Sequence, residues 1–211
     1  MISWLRPFAF VAALAVTSPL AAAPAAPIAP EAVRVVAVID QLDVESHWPA
    51  GVHVAWSTGI PDGHAESGEG RHTHCSAFAA AAAQALGIYI LRPPEHPQTL
   101  LANAQVDWLE NEGESHGWHR LGDAVDAQRR ANLGALVVAA YRNHHSDKPG
   151  HIVILRPSDK DVELIRAEGP QVTQAGEHNY RSTSLKHGFA DHPAAWGNSE
   201  VVYYAHQVSL R

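Results

Sequence analysis

The residue best equipped for covalent chemistry is Cys75, the single cysteine among 211 residues. It stands directly before an alanine-rich run, Ser76 to Leu86, closed by Gly87. Alanine is the best helix former, Thr73 is a suitable N-cap and Gly87 a suitable C-cap, so Cys75 is expected in the first turn of a helix. There the positive end of the helix dipole and the unpaired backbone N–H groups favour thiolate, with a pKa expected below the usual ~8.5. The backbone N–H of Cys75 can also help hold an oxyanion. A nucleophilic thiol needs a base, and His151 is the candidate. It opens the apolar run His151-Ile152-Val153-Ile154-Leu155, right after the turn Lys148-Pro149-Gly150. On the next strand candidate, the amide oxygen of Gln174 can accept the other ring N–H and fix the tautomer. His178 and Asn179 follow closely and remain alternatives for that orienting role.

These side chains need elements to position them. Pro30-Glu31 opens Ala32 to Leu42 with a helix-start signal, which outweighs its many β-branched residues. Further helices are expected over Gln98 to Leu109 and Asp123 to Asn132. From Gly134 the period shortens. Ala135 to Tyr141, His151 to Arg156, Val162 to Arg166, Gln171 to Ala175 and Glu200 to Val208 read as strands separated by Pro, Gly and Asp turns. Helices first and tightly linked strands second give an α+β class with an antiparallel sheet.

Composition limits the function classes. A hydrophobic fraction of 46% against 18% charged residues supports a buried core. A formal net charge of -7, with no basic cluster, argues against nucleic-acid partners. One cysteine excludes an internal disulfide and any multi-cysteine metal site. Met1 to Arg6 carries one positive charge, Phe8 to Val16 is apolar, and the residues up to Ala23 are mostly small. This layout is that of a secretory signal, with cleavage expected after Ala25. The expected organisation is thus a signal peptide over residues 1–25 and one domain over residues 26–211, periplasmic or secreted. Pro24 to Pro30 reads as a short extended linker. Ser57 to His74, rich in Gly, His, Asp and Glu, is expected as a surface loop. Its part from Gly63 to His72, together with Pro93-Pro94, could form a lid or rim. Within it, His72 and His74 beside Cys75 offer metal donors, although neighbours at a helix start seldom converge on one ion. His144-His145 fit a solvated turn, and Trp108, Trp118 and Tyr141 fit either core packing or a substrate groove.

The motifs His74-Cys75-Ser76-Ala77-Phe78, Gly134-Ala135-Leu136-Val137 and Gly150-His151-Ile152-Val153-Ile154 resemble, in order, those of the NlpC-type cell-wall cysteine peptidases. The resemblance spans roughly residues 73–176. It departs from the family where Asp is usual and His74 or Ala135 stands, where Gly is usual and Ala77 stands, and where the third member is commonly His rather than Gln174. The resemblance implies a compact papain-like fold and hydrolysis of amide bonds in peptidoglycan stem peptides. The resulting expectation is an exported cysteine amidase or peptidase. Cys75 would attack the carbonyl, His151 would carry the proton and Gln174 would orient His151, through a thioester and with no metal or organic cofactor. Its partner would be a peptide or peptidoglycan-fragment substrate. Two rivals are a non-enzymatic periplasmic His-rich metal-binding module and a cysteine-dependent acyltransferase using an amine acceptor.

Overall fold

A computed structural model describes residues 24–65 and 72–209. The signal-like segment through residue 23, and residues 66–71 of the polar loop, lie outside the described residues. Helix α1 (Pro30–Asp40) has proline in its first turn and buries Ala32, Val35 and Ile39 along one stripe. Helix α2 (Cys75–Ala85) is buried from Cys75 through Ala83. Its N-cap is His74 rather than the expected Thr73, and His74 makes no side-chain cap. The ring is engaged elsewhere, its Nε2 lying 2.9 Å from the Val52 carbonyl. The C-terminal end follows the glycine signal. Gly87 sits at φ +72°, and the Gly87 and Ile88 N–H groups donate to the Gln84 and Ala83 carbonyls, satisfying the exposed end of the helix.

Helix α3 (Leu101–Asn111) starts three residues later than expected. Leu100 adopts a left-handed φ of +55°, and the Gln98 side chain donates instead to the Val54 carbonyl at 3.0 Å. Helix α4 (Ala124–Asn132) opens where its cap lies, with the Asp123 carboxylate accepting from the Asp126 N–H.

The strands are β1 (Trp118–Arg120), β2 (Leu136–Tyr141), β3 (His151–Leu155), β4 (Gln171–Gln174), β5 (Tyr180–Ser184) and β6 (Val202–His206). They form one sheet of order β1-β6-β2-β3-β4-β5, and every described pair is antiparallel. The class is α+β, with seven α-helices among the described residues. One expected strand is corrected: Val162 to Arg166 belongs to helix α5 (Val162–Glu168). The Asp161 carboxylate accepts from the Leu164 N–H at 2.7 Å, a cap that outweighs the β preference of Val162 and Ile165. Two short helices, α6 (Leu185–Gly188) and α7 (Pro193–Gly197), separate β5 from β6. Helices and strands therefore interleave more than the sequence pattern suggests.

Strand alternation divides the core in two. Leu136, Val138, Ala140, Ile152 and Ile154 face α1, α2 and α3. Val137, Ala139, Tyr141, Val153 and Leu155 face Ala127 and Ala131 of α4, with Leu185, Phe189 and Ala195. No helix among the described residues is long and apolar enough to cross a membrane. The stretch after residue 23, expected as an extended linker, bends at Ala25 and Ala26, is tied down, and gives way to α1 at Pro30. The Ala25 N–H donates to the Lys160 carbonyl, and Asn132 Nδ2 donates to the Ala26 carbonyl at 2.7 Å.

The loop leading toward α2 rests on Trp48, which is fully buried and meets Phe78 of α2 edge-on at 5.1 Å. Gly59 lies against the Trp48 indole at φ +68°, and a Cβ there would overlap the ring. Gly59→Ala should therefore lower stability by about 2–5 kcal/mol, adding left-handed strain to overpacking. Thermal unfolding followed by circular dichroism should show a melting-temperature drop of about 5–15 °C.

Candidate active site

His151 opens β3 because Gly150 lets the chain pass the end of β2. A Cβ at position 150 would run into the Tyr141 carbonyl and the Asn103 side chain. Asn103 holds this corner, donating to the Lys148 carbonyl at 2.9 Å and accepting from the Asn143 N–H at 3.0 Å. His151 is thereby fixed opposite Tyr141, and cross-strand partners share a sheet face. On that face the imidazole meets Phe189 edge-on at 4.8 Å and stacks on His192 at 5.3 Å.

The structure joins His151 to Gln174. His151 Nε2 lies 3.0 Å from Gln174 Oε1, both residues buried. The amide is itself oriented, since Gln174 Nε2 donates to the His178 carbonyl at 3.1 Å. An amide oxygen only accepts, so Nε2 carries the hydrogen and Nδ1 keeps its lone pair. The other two orienter candidates do different work. His178 supports Gln174 through its backbone. Asn179 Nδ2 donates to the Val44, His47 and Trp48 carbonyls at 2.7 to 3.1 Å, while its Oδ1 accepts from the Gly176 N–H.

Cys75 approaches from the other side. It packs with Ala140 and Ile152, the face that carries α2, and its thiol meets the Ile152 N–H, one residue beyond His151. The β3–β4 pairing comprises Ile154–Thr173 and Leu155–Val172, so it does not extend to Ile152. That N–H can therefore face the sulfur. Among the described residues, no hydrogen bond links Cys75 to His151.

No protein-family model and no curated protein matches this sequence.

Burial governs the titration of the pair. It pushes the Cys75 thiol up, and the N–H groups of Ile152, Ser76 and Cys75 and the Ser76 hydroxyl oppose that shift without reversing it. This corrects the expected thiolate: the helix N–H groups are present, but desolvation of the charged sulfur outweighs them. Burial likewise holds His151 below its ordinary range, against the opposing influence of Gln174 and the Gly188 carbonyl. His192 is pushed down to about 4, by burial first and by neighbouring His151 second. At neutral pH the site therefore rests as a neutral thiol and neutral imidazoles.

The remaining sequence candidates are located as well. His144 contacts Glu200 at 3.1 Å with its side chain largely exposed, in keeping with a solvated turn. Trp118 and Trp108 are buried in the α2-side core, and Tyr141 lies in the core of the opposite face. The sequence reading of the site did not single out His192. A histidine flanked by Asp191 and Pro193 gives no local sign that it will stack on the imidazole of a distant strand.

Two outcomes follow. Iodoacetamide should alkylate native Cys75 at pH 7 more slowly than the same thiol in the urea-unfolded chain, and the native rate should still be climbing above pH ~8.5, where the unfolded rate levels off. Stability should fall with acid, because the unfolded chain takes up histidine protons near pH ~6.5, before the folded chain does. The stability tied to His192 is present above that value and lost as pH falls towards about 4. Thermal melts of His192→Phe should accordingly show a weaker decline over this window than wild type.

Proposed function

We propose that this chain is an exported cysteine hydrolase of papain-like, NlpC-like type, cleaving amide bonds in peptidoglycan-derived peptides. The observation that carries the reading is the oriented His151–Gln174 pair at the end of β3, with the Cys75 thiol at the next backbone N–H. The order nucleophile, base, polar third residue matches the resemblance seen in the sequence, with an amide where His is common, and the signal-like start supports an exported compartment where stem peptides are accessible.

In this mechanism Cys75 and His151 are the catalytic residues and Gln174 is a positioning residue. Because both partners rest neutral, His151 Nδ1 takes the thiol proton as the sulfur attacks, rather than from a standing ion pair. His151 lies on the face opposite α2, so in this reading the imidazole has to turn around the end of β3, past the last β3–β4 pair, to meet the sulfur. Attack forms a C–S bond and an oxyanion that the Cys75 N–H helps to hold. Collapse breaks the C–N bond, and the imidazolium returns its proton to the leaving amine. Water, deprotonated by the same imidazole, then splits the thioester. No metal or organic cofactor enters these steps. The excess of acidic residues favours short peptides or soluble fragments at least as well as intact wall polymer.

Stem peptides incubated with each variant and followed by mass spectrometry test the reading. Cys75→Ala should abolish release of fragments while retaining the fold, since alanine is small and favours helix. His151→Ala should slow release roughly 100- to 10,000-fold, the usual contribution of a general base. Gln174→Ala should cost less and should mix the His151 tautomers in imidazole 15N spectra. Undiminished hydrolysis by Cys75→Ala would overturn the mechanism. Undiminished hydrolysis by His151→Ala would remove the imidazole as base, and no release by wild type would remove stem peptides as substrates.

A further inference from the structure

We propose that His53, Asp62 and His64 form a binding site for a divalent borderline transition ion, with Zn2+ as the best fit, on the hairpin that precedes α2. Among the described residues they are the group of three such side chains whose ligand atoms converge, all lying within 4.8 Å of one another. His53 Nδ1 lies 2.8 Å and His64 Nδ1 3.0 Å from the same oxygen, Asp62 Oδ1. A tetrahedral zinc ion with ligands at about 2.0–2.1 Å holds its donor atoms about 3.3 Å apart, so the metal fits after small outward movements of the two rings. A carboxylate only accepts, so in the metal-free arrangement each Nδ1 carries a hydrogen pointing at Asp62. Binding moves that hydrogen to Nε2, or releases it to water if the ring is charged. Both Nδ1 lone pairs then face the ion.

The backbone presenting these groups is anchored on both sides of His53. The Val52 carbonyl meets His74 Nε2, and the Val54 carbonyl accepts from Gln98. Val54 and Pro61 form an antiparallel bridge, and the Ala55 N–H donates to the Ile60 carbonyl at 2.9 Å. Gly63, at φ +78°, turns the chain so that the His64 N–H also reaches Asp62 Oδ1 at 3.2 Å. The ring planes of His53 and His64 cross at 75°, with centroids 5.4 Å apart, so the two nitrogens approach one carboxylate from different directions. Neutral imidazole nitrogens with one carboxylate suit zinc and its neighbours in the transition series better than calcium or magnesium, which prefer oxygen ligands. Three protein donors leave one position for water or a further ligand.

The site is independent of the hydrolase reading, because Cys75 contributes no donor to it. The test is calorimetric titration of the full, metal-stripped chain with Zn2+, together with long-range 1H–15N spectra of the imidazoles. The expected result is one tight Zn2+ per chain, with large shifts at His53 Nδ1 and His64 Nδ1 and an unchanged affinity in Cys75→Ala. His64→Ala and Asp62→Asn should each weaken binding by about tenfold or more. The His64 side chain is 75% exposed, so its removal does not endanger folding. The proposal is overturned if Zn2+ does not bind, if His64→Ala binds as tightly as wild type, or if bound Zn2+ leaves both Nδ1 resonances in place.

Discussion

The burial of helix α2 is the constraint on which the rest of the structure depends. Its alanines allow a helix to lie almost wholly inside, against β3 and β4 on one side and α1 and α3 on the other. Larger side chains would hold these layers farther apart, and an interior helix packed at native density has little room to yield. The Cys75 thiol is therefore set by helix packing against the sheet, within contact of the Ile152 N–H. The same burial removes water from the sulfur. The placement that makes the cysteine a candidate nucleophile thus also keeps it protonated at rest.

Buried amides fasten the other layer. Gln128 donates to the Arg156 carbonyl and accepts from the Gln171 N–H, joining α4 to the ends of β3 and β4. Asn132 donates to the Ala26 and Ser158 carbonyls and accepts from the Ser158 N–H and from Gln128. Such groups are costly when unpaired and specific when paired, so they fix how loops meet the sheet. Asn179 plays this part near the candidate site, gathering the carbonyls of residues 44, 47 and 48 beside the turn that supports Gln174. Asp40 adds a charged fastening. Burial alone would raise its pKa, yet Arg156 and Arg181 together bring it below the usual carboxylate range, so this contact is present above pH ~3.9 and lost in stronger acid.

His151 shows how one strand end can serve two faces. Its ring lies with Gln174, Phe189 and His192, while the next residue turns toward α2 and Cys75. The ring is rigid in tautomer and lies on the face opposite Cys75, so the proposed role of His151 as a base requires the imidazole to move around the strand end. His192 stacked on one side limits that movement, and His151, Ile152 and Ala175 are all buried.

Local chemistry in the sequence determined α1, α2 and α4, the glycine turn after α2, and strands β2, β3, β4 and β6, because caps, alanine content and alternation act within a few residues. The His151–Gln174 pair was legible for the same reason, each residue marking an end of a recognisable strand. Strand β5, Tyr-Arg-Ser-Thr-Ser, was not, since its polar edge position comes from pairing with β4 rather than from its own composition. Helix α5 went to its Asp161 cap against the β preference of Val162 and Ile165. Which face His151 presents, the upward shift of the Cys75 thiol and the meeting of His53, Asp62 and His64 were decided only by the tertiary structure. A strand's alternation states that neighbours point oppositely but not which side receives α2. Desolvation of Cys75 depends on atoms distant in sequence, and the meeting of His53, Asp62 and His64 depends on how their hairpin closes, which residue types alone do not state.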